Sequence, residues 1–404
     1  MSRLDELIQE LCTDGVEYKT LTDIGTIIKG MSGVSNKWAE EGNCRFIDYK
    51  NVYNHLKVDV SKLPYATVKK LENQTILQTG DILFTSASET PDECAISSVI
   101  EDNLIDGILL DDHLFGLRLN SKIVNHVYAN YYFRSLSFRK IVNKTVRGVT
   151  RYYISMPAFE KLQIPVPPLE VQREIVRILD NFTELTAELT AELTARKQQY
   201  EYYAEKLLSF DDTYDYLPLS DVADFRNGKG HEKAIVASGK YIVVNSKFIS
   251  TNGEVKKYAN EQISPLYSSD ILMVMSDLPN GRALAKTFLV DEDDTYTLNQ
   301  RICALHVKNE DQYMTKFLYF FLNRNPQLLK YDNGVDQTNL KKGDILSVQV
   351  PVISIETQKS TISFLERLET LCLDISSGLP AEIEVRKKQY EYYRDKLLTF
   401  KQLA

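Results

Sequence analysis

Apolar positions follow two rhythms along the chain. From residue 171 they recur at steps of three and four, at Val171, Ile175, Ile178, Phe182, Leu185, Leu189 and Leu193. Such steps keep side chains on one helix face, so the stretch predicts a long helix with a heptad seam and one four-residue step too many. The extra step falls in a direct repeat, Thr186-Ala187-Glu188-Leu189-Thr190-Ala191-Glu192-Leu193, and the seam resumes at Tyr200, Tyr203 and Leu207. A second stripe, Ile362, Leu365, Leu368, Cys372 and Ile375, predicts another helix, which Ser377-Gly378-Leu379-Pro380 should break or kink. The other rhythm is short β-branched and aromatic runs between turns such as Thr79-Gly80-Asp81, Ser250-Thr251-Asn252-Gly253 and Leu278-Pro279-Asn280-Gly281. Within this strand-rich sequence one helix per half is expected, over 124–142 and 312–329.

These patterns occur twice. Residues 191–210 and 381–400 share thirteen of twenty identities at an offset of 190. Upstream, residues 148–172 align without a gap to 334–358, pairing Gly148-Val149 with Gly334-Val335, Ile154 with Leu340, and Gln172 with Gln358. Weaker echoes link Tyr18, Leu21 and Asp23 to Tyr216, Leu219 and Asp221. The chain is a tandem duplication whose period is too long for a solenoid. The proline-bearing segments Ile164-Pro165-Val166-Pro167-Pro168 and Val350-Pro351-Val352 mark boundaries before the long helices. The expected fold class is α+β, with two globular α/β domains, 1–155 and 211–350, and two long helical segments, 156–210 and 351–404, that join and separate them as antiparallel coiled-coil helices.

Catalytic patterns are missing from the sequence. It contains neither a Gly-x-Gly-x-x-Gly after a strand nor a phosphate-binding Gly-x-x-x-x-Gly-Lys-Ser/Thr loop, and Gly228-Lys229-Gly230 has the wrong spacing. Its five histidines take no metal-ligand spacing with one another or with the cysteines. Glu254-Val255-Lys256 lacks the upstream Pro-Asp of a nuclease site. Asp277-Leu278-Pro279-Asn280 only loosely matches the loop of amino-methyltransferases and reads as a turn. Five scattered cysteines without a Cys-x-x-Cys, no apolar leader and no bilayer-length apolar run point to a cytoplasmic chain that does not enter a membrane.

A composition of 404 residues, 43% apolar, with a net charge of -8, suggests a globular protein and at first argues against nucleic acid. The distribution changes that. His113 to Phe159 carries eight basic residues and no acidic one, interleaved with tyrosines and phenylalanines. In the second half Arg226 to Lys257 holds seven basic residues against two acidic ones, and Lys341-Lys342 follows. Each half therefore offers a basic face of the kind that contacts phosphates and base edges. The candidate DNA-binding residues are Arg139, Lys140, Lys144, Arg147, Arg151 and Tyr152 in the first half. In the second they are Arg226, Lys229, Lys247, Lys256, Lys257, Gln337, Asn339, Lys341 and Lys342.

The duplication, the proline-rich lead-in and the motif Arg-Lys-x-Gln-Tyr-Glu-Tyr-Tyr-x-x-Lys-Leu-Leu-x-Phe in both copies resemble the specificity subunit of type I restriction-modification enzymes. The Thr-Ala-Glu-Leu tandem resembles the IC subgroup. The resemblance implies two target recognition domains that each read half of a split asymmetric DNA site, with the helices as spacer. One more tetrapeptide block would lengthen that spacer by about 6 Å. It further implies a non-catalytic chain that binds no cofactor or metal and assembles on double-stranded DNA with two modification subunits and two restriction subunits. Those partners would use S-adenosylmethionine, ATP and Mg to methylate adenine and to restrict. Tyr200, Tyr202, Tyr203, Leu207 and Leu208, with Tyr390, Tyr392, Tyr393, Leu397 and Leu398, are the candidates for docking the modification subunits, against the alternative that they pack within the chain. The competing readings are a self-sufficient DNA methyltransferase or nuclease with a diverged active site, and a coiled-coil protein-interaction scaffold.

Overall fold

A computed structural model describes residues 2–102, 104, 107–278, 281–373 and 378–403. Two compact units emerge, one made of residues 1–190 with 382–404 and one of residues 191–381. The sequence ranges above follow chain order, whereas compactness draws the last residues of the chain into the first unit.

Each unit is built on an antiparallel four-stranded sheet. In the first unit the neighbours run Gly25–Lys29, Leu114–Leu119, Asp81–Thr85, Ser97–Val99, and in the second Ala223–Asn227, Ile302–Val307, Ile271–Val274, Thr287–Leu289. The central strand Asp81–Thr85 is buried at every position, because helices and the second sheet cover its faces. Phe84 lies among Phe115, Phe133 and Phe159 with ring centroids 4.9–5.2 Å apart. These offset and edge-to-face contacts fill the centre of the first core. A second four-stranded sheet accompanies each, mixed in direction through the parallel pairs of Cys44–Ile47 with Ile108–Leu110 and of Tyr241–Val244 with Tyr296–Leu298. A two-stranded clasp closes each domain, joining Tyr18–Thr20 to Gln163–Pro165 and Tyr216–Pro218 to Gln349–Pro351. The proline strands thus sit where a missing N–H costs no ladder bond.

The single helix expected over 124–142 is two, His126–Phe133 and Leu136–Thr145. The Ser135 hydroxyl accepts the Phe138 N–H and starts a new helix there. The expectation over 312–329 fails in the same way. Thr315–Leu322 ends before Arg324, at φ +52°, and Asn325-Pro326 caps Pro326–Leu329.

The long helix runs unbroken over 40 residues, Leu169–Leu208. Its threonines satisfy themselves, Thr183, Thr186 and Thr190 each donating to the carbonyl four residues back. Val171 and Ile175 are buried as the stripe requires, but Leu185 is exposed and Thr186 takes the half-buried place. The described members of the second stripe all lie on Ile355–Leu373, where Ile362, Leu365 and Cys372 are buried, and Leu379–Leu397 is a separate helix. Ile375, Ser377, Pro279 and Asn280, all singled out in the sequence, lie outside the described residues. Among the described residues no helix is long and apolar enough to cross a membrane.

Candidate nucleic-acid interface

The eight cations of His113 to Phe159 divide by what their donors touch. Arg118 is bound to Asp81 through two nitrogens at 2.7 and 2.8 Å. Arg134 donates to the carbonyls of Ser97, Val52 and His55, and burial pushes its pKa down to about 10. Arg139 donates to the carbonyls of Asp92, Cys94 and Ala95, and burial lowers its pKa as well. Backbone carbonyls fill the terminal nitrogens of Arg139 and its unpartnered Nε is buried, so the guanidinium is a structural clamp that turns no free donor to phosphate. Lys122, Lys140, Lys144, Arg147 and Arg151 are exposed, and Tyr152 is half-buried. Lys144 and Arg147, with Tyr153 and Ser155, line a pocket of about 270 Å³.

The structure brings Arg147, Arg151 and Tyr152 together on one hairpin. Arg147–Gly148 pairs with Tyr152–Tyr153, which pairs in turn with Ala87–Ser88. In the second unit Thr338–Asn339 pairs with Ser276–Asp277 at the matching place, and Gln337 donates to the Ser276 hydroxyl at 2.7 Å. Lys229, Lys247, Lys256, Lys257, Asn339, Lys341 and Lys342 are exposed. Arg226 stands apart, bonded to buried Asp270 and to the Pro265 carbonyl. Its charge is spent inside the unit.

The repeated tyrosine motif also divides, and both copies do so alike. Tyr200, Leu207 and Leu208 pack on the core of the second unit, and Tyr390 and Leu397 on that of the first, where Leu398 is 1% exposed. Burial raises the pKa of Tyr200 and Tyr390. Tyr202 and Tyr392 face outward, 59% and 62% exposed. Tyr203 rests edge-on against Phe364, and Tyr393 stacks on Phe182.

Other polar groups carry structural work. The Asp277 carboxylate accepts the backbone N–H groups of Leu278, Ala283 and Leu284, which makes it the organiser of a turn. Among the described residues the grouping with metal-ligand character is Asp111, Asp112 and His113, and the Lys37 ammonium already bridges its two carboxylates. Sequence reasoning passed over Trp38, the only tryptophan in the chain, 60% exposed at φ +62° on a twice-bulged edge strand. A lone aromatic in a polar run was the available signal.

A family model described as the type I restriction modification DNA specificity domain matches this chain twice, over residues 13–196 and 211–385. A putative type I restriction enzyme specificity subunit of Haemophilus influenzae is 31% identical over 303 residues, covering 70% of this chain and 73% of that one. The EcoR124I/EcoR124II specificity subunit of Escherichia coli is 33% identical over 275 residues, covering 62% of this chain and 66% of that one. Among solved structures, the type I restriction-modification S subunit of Mycoplasma genitalium aligns with a TM-score of 0.52 at 15% identity, over 95% of this chain and 96% of that one. A chain from a study of complex assembly in the type I system aligns with a TM-score of 0.62 at 13% identity, over 95% and 97% of the two chains. At these identities the solved structures speak for the fold.

Proposed function

This chain belongs to the family of type I restriction-modification DNA specificity subunits, and from that premise we propose that each of its two units reads one half of a bipartite, asymmetric DNA site. The observation that carries this reading is the duplication: the family model matches once per half, and the halves share a framework while differing in exposed polar side chains. Two similar but unequal readers suit a target whose halves differ in sequence. An unbroken helix of 40 residues, about 60 Å at ~1.5 Å per residue, suits a spacer that sets the gap between the halves.

In this reading the chain itself does no chemistry and holds no cofactor. Two modification subunits carry S-adenosylmethionine and methylate adenine, and two restriction subunits use ATP and Mg. The outward tyrosines Tyr202 and Tyr392 are the docking contacts for the modification subunits, and their neighbours Tyr200, Leu207, Leu208, Tyr390, Leu397 and Leu398 hold the motif to its own unit. Large, rigid aromatic side chains left in water are typical anchors of a partner surface.

The test is to co-purify the chain with its modification partner and map the methylated sequence. A split site with two unlike halves is expected, and the chain alone, given S-adenosylmethionine or Mg and DNA, should be inert. Turnover by the isolated chain, or methylation without sequence preference, would overturn the proposal. Tyr202→Ala with Tyr392→Ala should reduce co-purification at least tenfold and leave thermal unfolding of the chain unchanged.

A further inference from the structure

Two valines stand out because they are equivalent, apolar and almost wholly in water. Val149 is 90% exposed and Val335 is 75% exposed. They occupy the same place in the two copies, each following a glycine in the left-handed backbone region, at φ +146° for Gly148 and +68° for Gly334. A side chain at Gly148 would meet the Arg151 carbonyl oxygen at 2.0 Å, so only glycine permits this turn. In the second copy the Asn333 carboxamide oxygen accepts the N–H groups of Val335 and Asp336, which fixes the tip.

The strand that follows pairs alike on one side in both units, and in the first it pairs also with Arg147–Gly148. Tyr152 and Tyr153 face Ser88 and Ala87, and Thr338 and Asn339 face Asp277 and Ser276. The next residues, Ile154 and Leu340, are buried anchors. Each unit therefore builds a rigid tip whose geometry forces one valine outward. A single exposed valine needs no explanation, but the same valine forced out by two separately constrained loops does.

The surroundings name the occupant. Lys144, Arg147 and Arg151 flank Val149 in a stretch without any acidic residue, whereas Asp332 and Asp336 stand beside Val335 and Lys341 and Lys342 follow further along the chain. At the first tip a small apolar group on a basic, projecting hairpin fits a nucleic-acid groove, where apolar side chains contact base edges such as the thymine methyl, and the second tip offers the same valine with its lysines further along the chain. The framework is shared while the polar neighbours differ, with Arg151 against Gln337 and Tyr153 against Asn339. These are groups that distinguish bases by hydrogen bonding.

We propose that Val149 and Val335 are paired base-contact residues: each enters the groove of its own DNA half-site, and the unlike neighbours Arg151 and Gln337 help set which bases that half requires. This rests on the DNA-reading function proposed above.

The experiment uses the complex with the modification partner, a duplex carrying the mapped site and an unrelated duplex. Val149→Ser or Val335→Ser should weaken binding of the site about tenfold and leave the unrelated duplex and the salt slope unchanged. In a library of single-base site variants, Val149→Ser should relax methylation at positions of one half and Val335→Ser at positions of the other. Equal loss on both duplexes, no loss on either, or relaxation of the same half by both variants would overturn the inference. Unchanged thermal unfolding of each variant, together with the near-isosteric Val149→Thr, separates a lost contact from a damaged fold. If the wild-type complex itself showed no preference for the mapped site, the DNA-reading function would fall. If that preference persisted undiminished in both serine variants, only the role of the valines would fall.

Discussion

The two units solve one electrostatic problem with different residues. Each buries an aspartate at the head of its central strand, Asp81 and Asp270, both 1% exposed. Each carboxylate accepts the N–H three residues back, from Gln78 and Tyr267. Each is met by a guanidinium that also donates to the matching carbonyl, Ile76 or Pro265. Yet Arg118 reaches Asp81 from Leu114–Leu119, its neighbouring strand, whereas Arg226 reaches Asp270 from Ala223–Asn227, one strand further across the sheet. At the place of Arg118 the second unit has His306, whose Nδ1 lies 3.1 Å from Asp270. A buried carboxylate requires a paired charge and full hydrogen bonding, but not a particular strand to supply them. Duplication kept the requirement and let the donor move.

The units also share a manner of closure that chain order hides. The motif copy at 381–400 packs Leu397 and Leu398 on the first core, while the copy at 191–210 packs Leu207 and Leu208 on the second. Leu398→Ala offers the largest test. Emptying this fully buried site should cost about 3 kcal/mol and speed hydrogen exchange in Leu114–Leu119 of the first unit. Leu208→Ala, starting from a half-buried site, should cost roughly half as much and act on Ile302–Val307. Faster exchange in the second unit on loss of Leu398 would break the assignment of the chain end to the first.

The displaced arginine gives the next effect. Arg226→Ile, which installs the residue found at the equivalent Ile28, leaves Asp270 without its guanidinium. Removing one partner of a buried pair costs about 3–5 kcal/mol, and the partial exposure of Arg226 brings the expectation down to roughly 2 kcal/mol in urea unfolding. Adding His306→Arg rebuilds the geometry of the first unit and should restore at least half of that loss. If the double variant were no more stable than Arg226→Ile alone, the two guanidinium sites would not be equivalent.

Those residues show where reading from sequence stops. The duplication, the long helix and the proline-bearing boundaries were legible, because each rests on local spacing or on direct repetition. The identity of the cations that face outward was not. Arg139, Arg134, Arg118 and Arg226 look like their exposed neighbours in the chain, and only pairing across strands and loops reveals that their donors are occupied. The same holds for the tyrosine motif, where Tyr200 and Tyr202 differ in role by a turn of less than one helical repeat. Helix breaks at Ser135 and Asn325 were missed because a short polar residue within an apolar run looks like surface until its side chain is seen capping a new helix.

The smallest expected effect tests the equivalence of the units most closely. Gln172 and Gln358 align in the repeat, and both are fully buried in the first turns of their helices. The Gln172 amide accepts the Asn125 N–H at 2.7 Å and donates to the carbonyls of Ile123 and Pro167. Gln358 accepts the Met314 N–H at 2.8 Å and donates to Gln312 and Ile353. Asn125 and Met314 are the residues just before His126–Phe133 and Thr315–Leu322, so each glutamine ties the start of its own helix to the start of a domain helix. Replacing either by methionine keeps the volume and leaves those groups buried and unpaired, which should cost about 1.5 kcal/mol. Because the two networks match bond for bond, Gln172→Met and Gln358→Met should differ by less than about 0.5 kcal/mol in urea unfolding, the scale of ordinary surface changes. A larger difference would mean that one of these helices is held to its domain by contacts the other lacks, and the pseudo-repeat would then be equal in backbone but not in mechanical coupling.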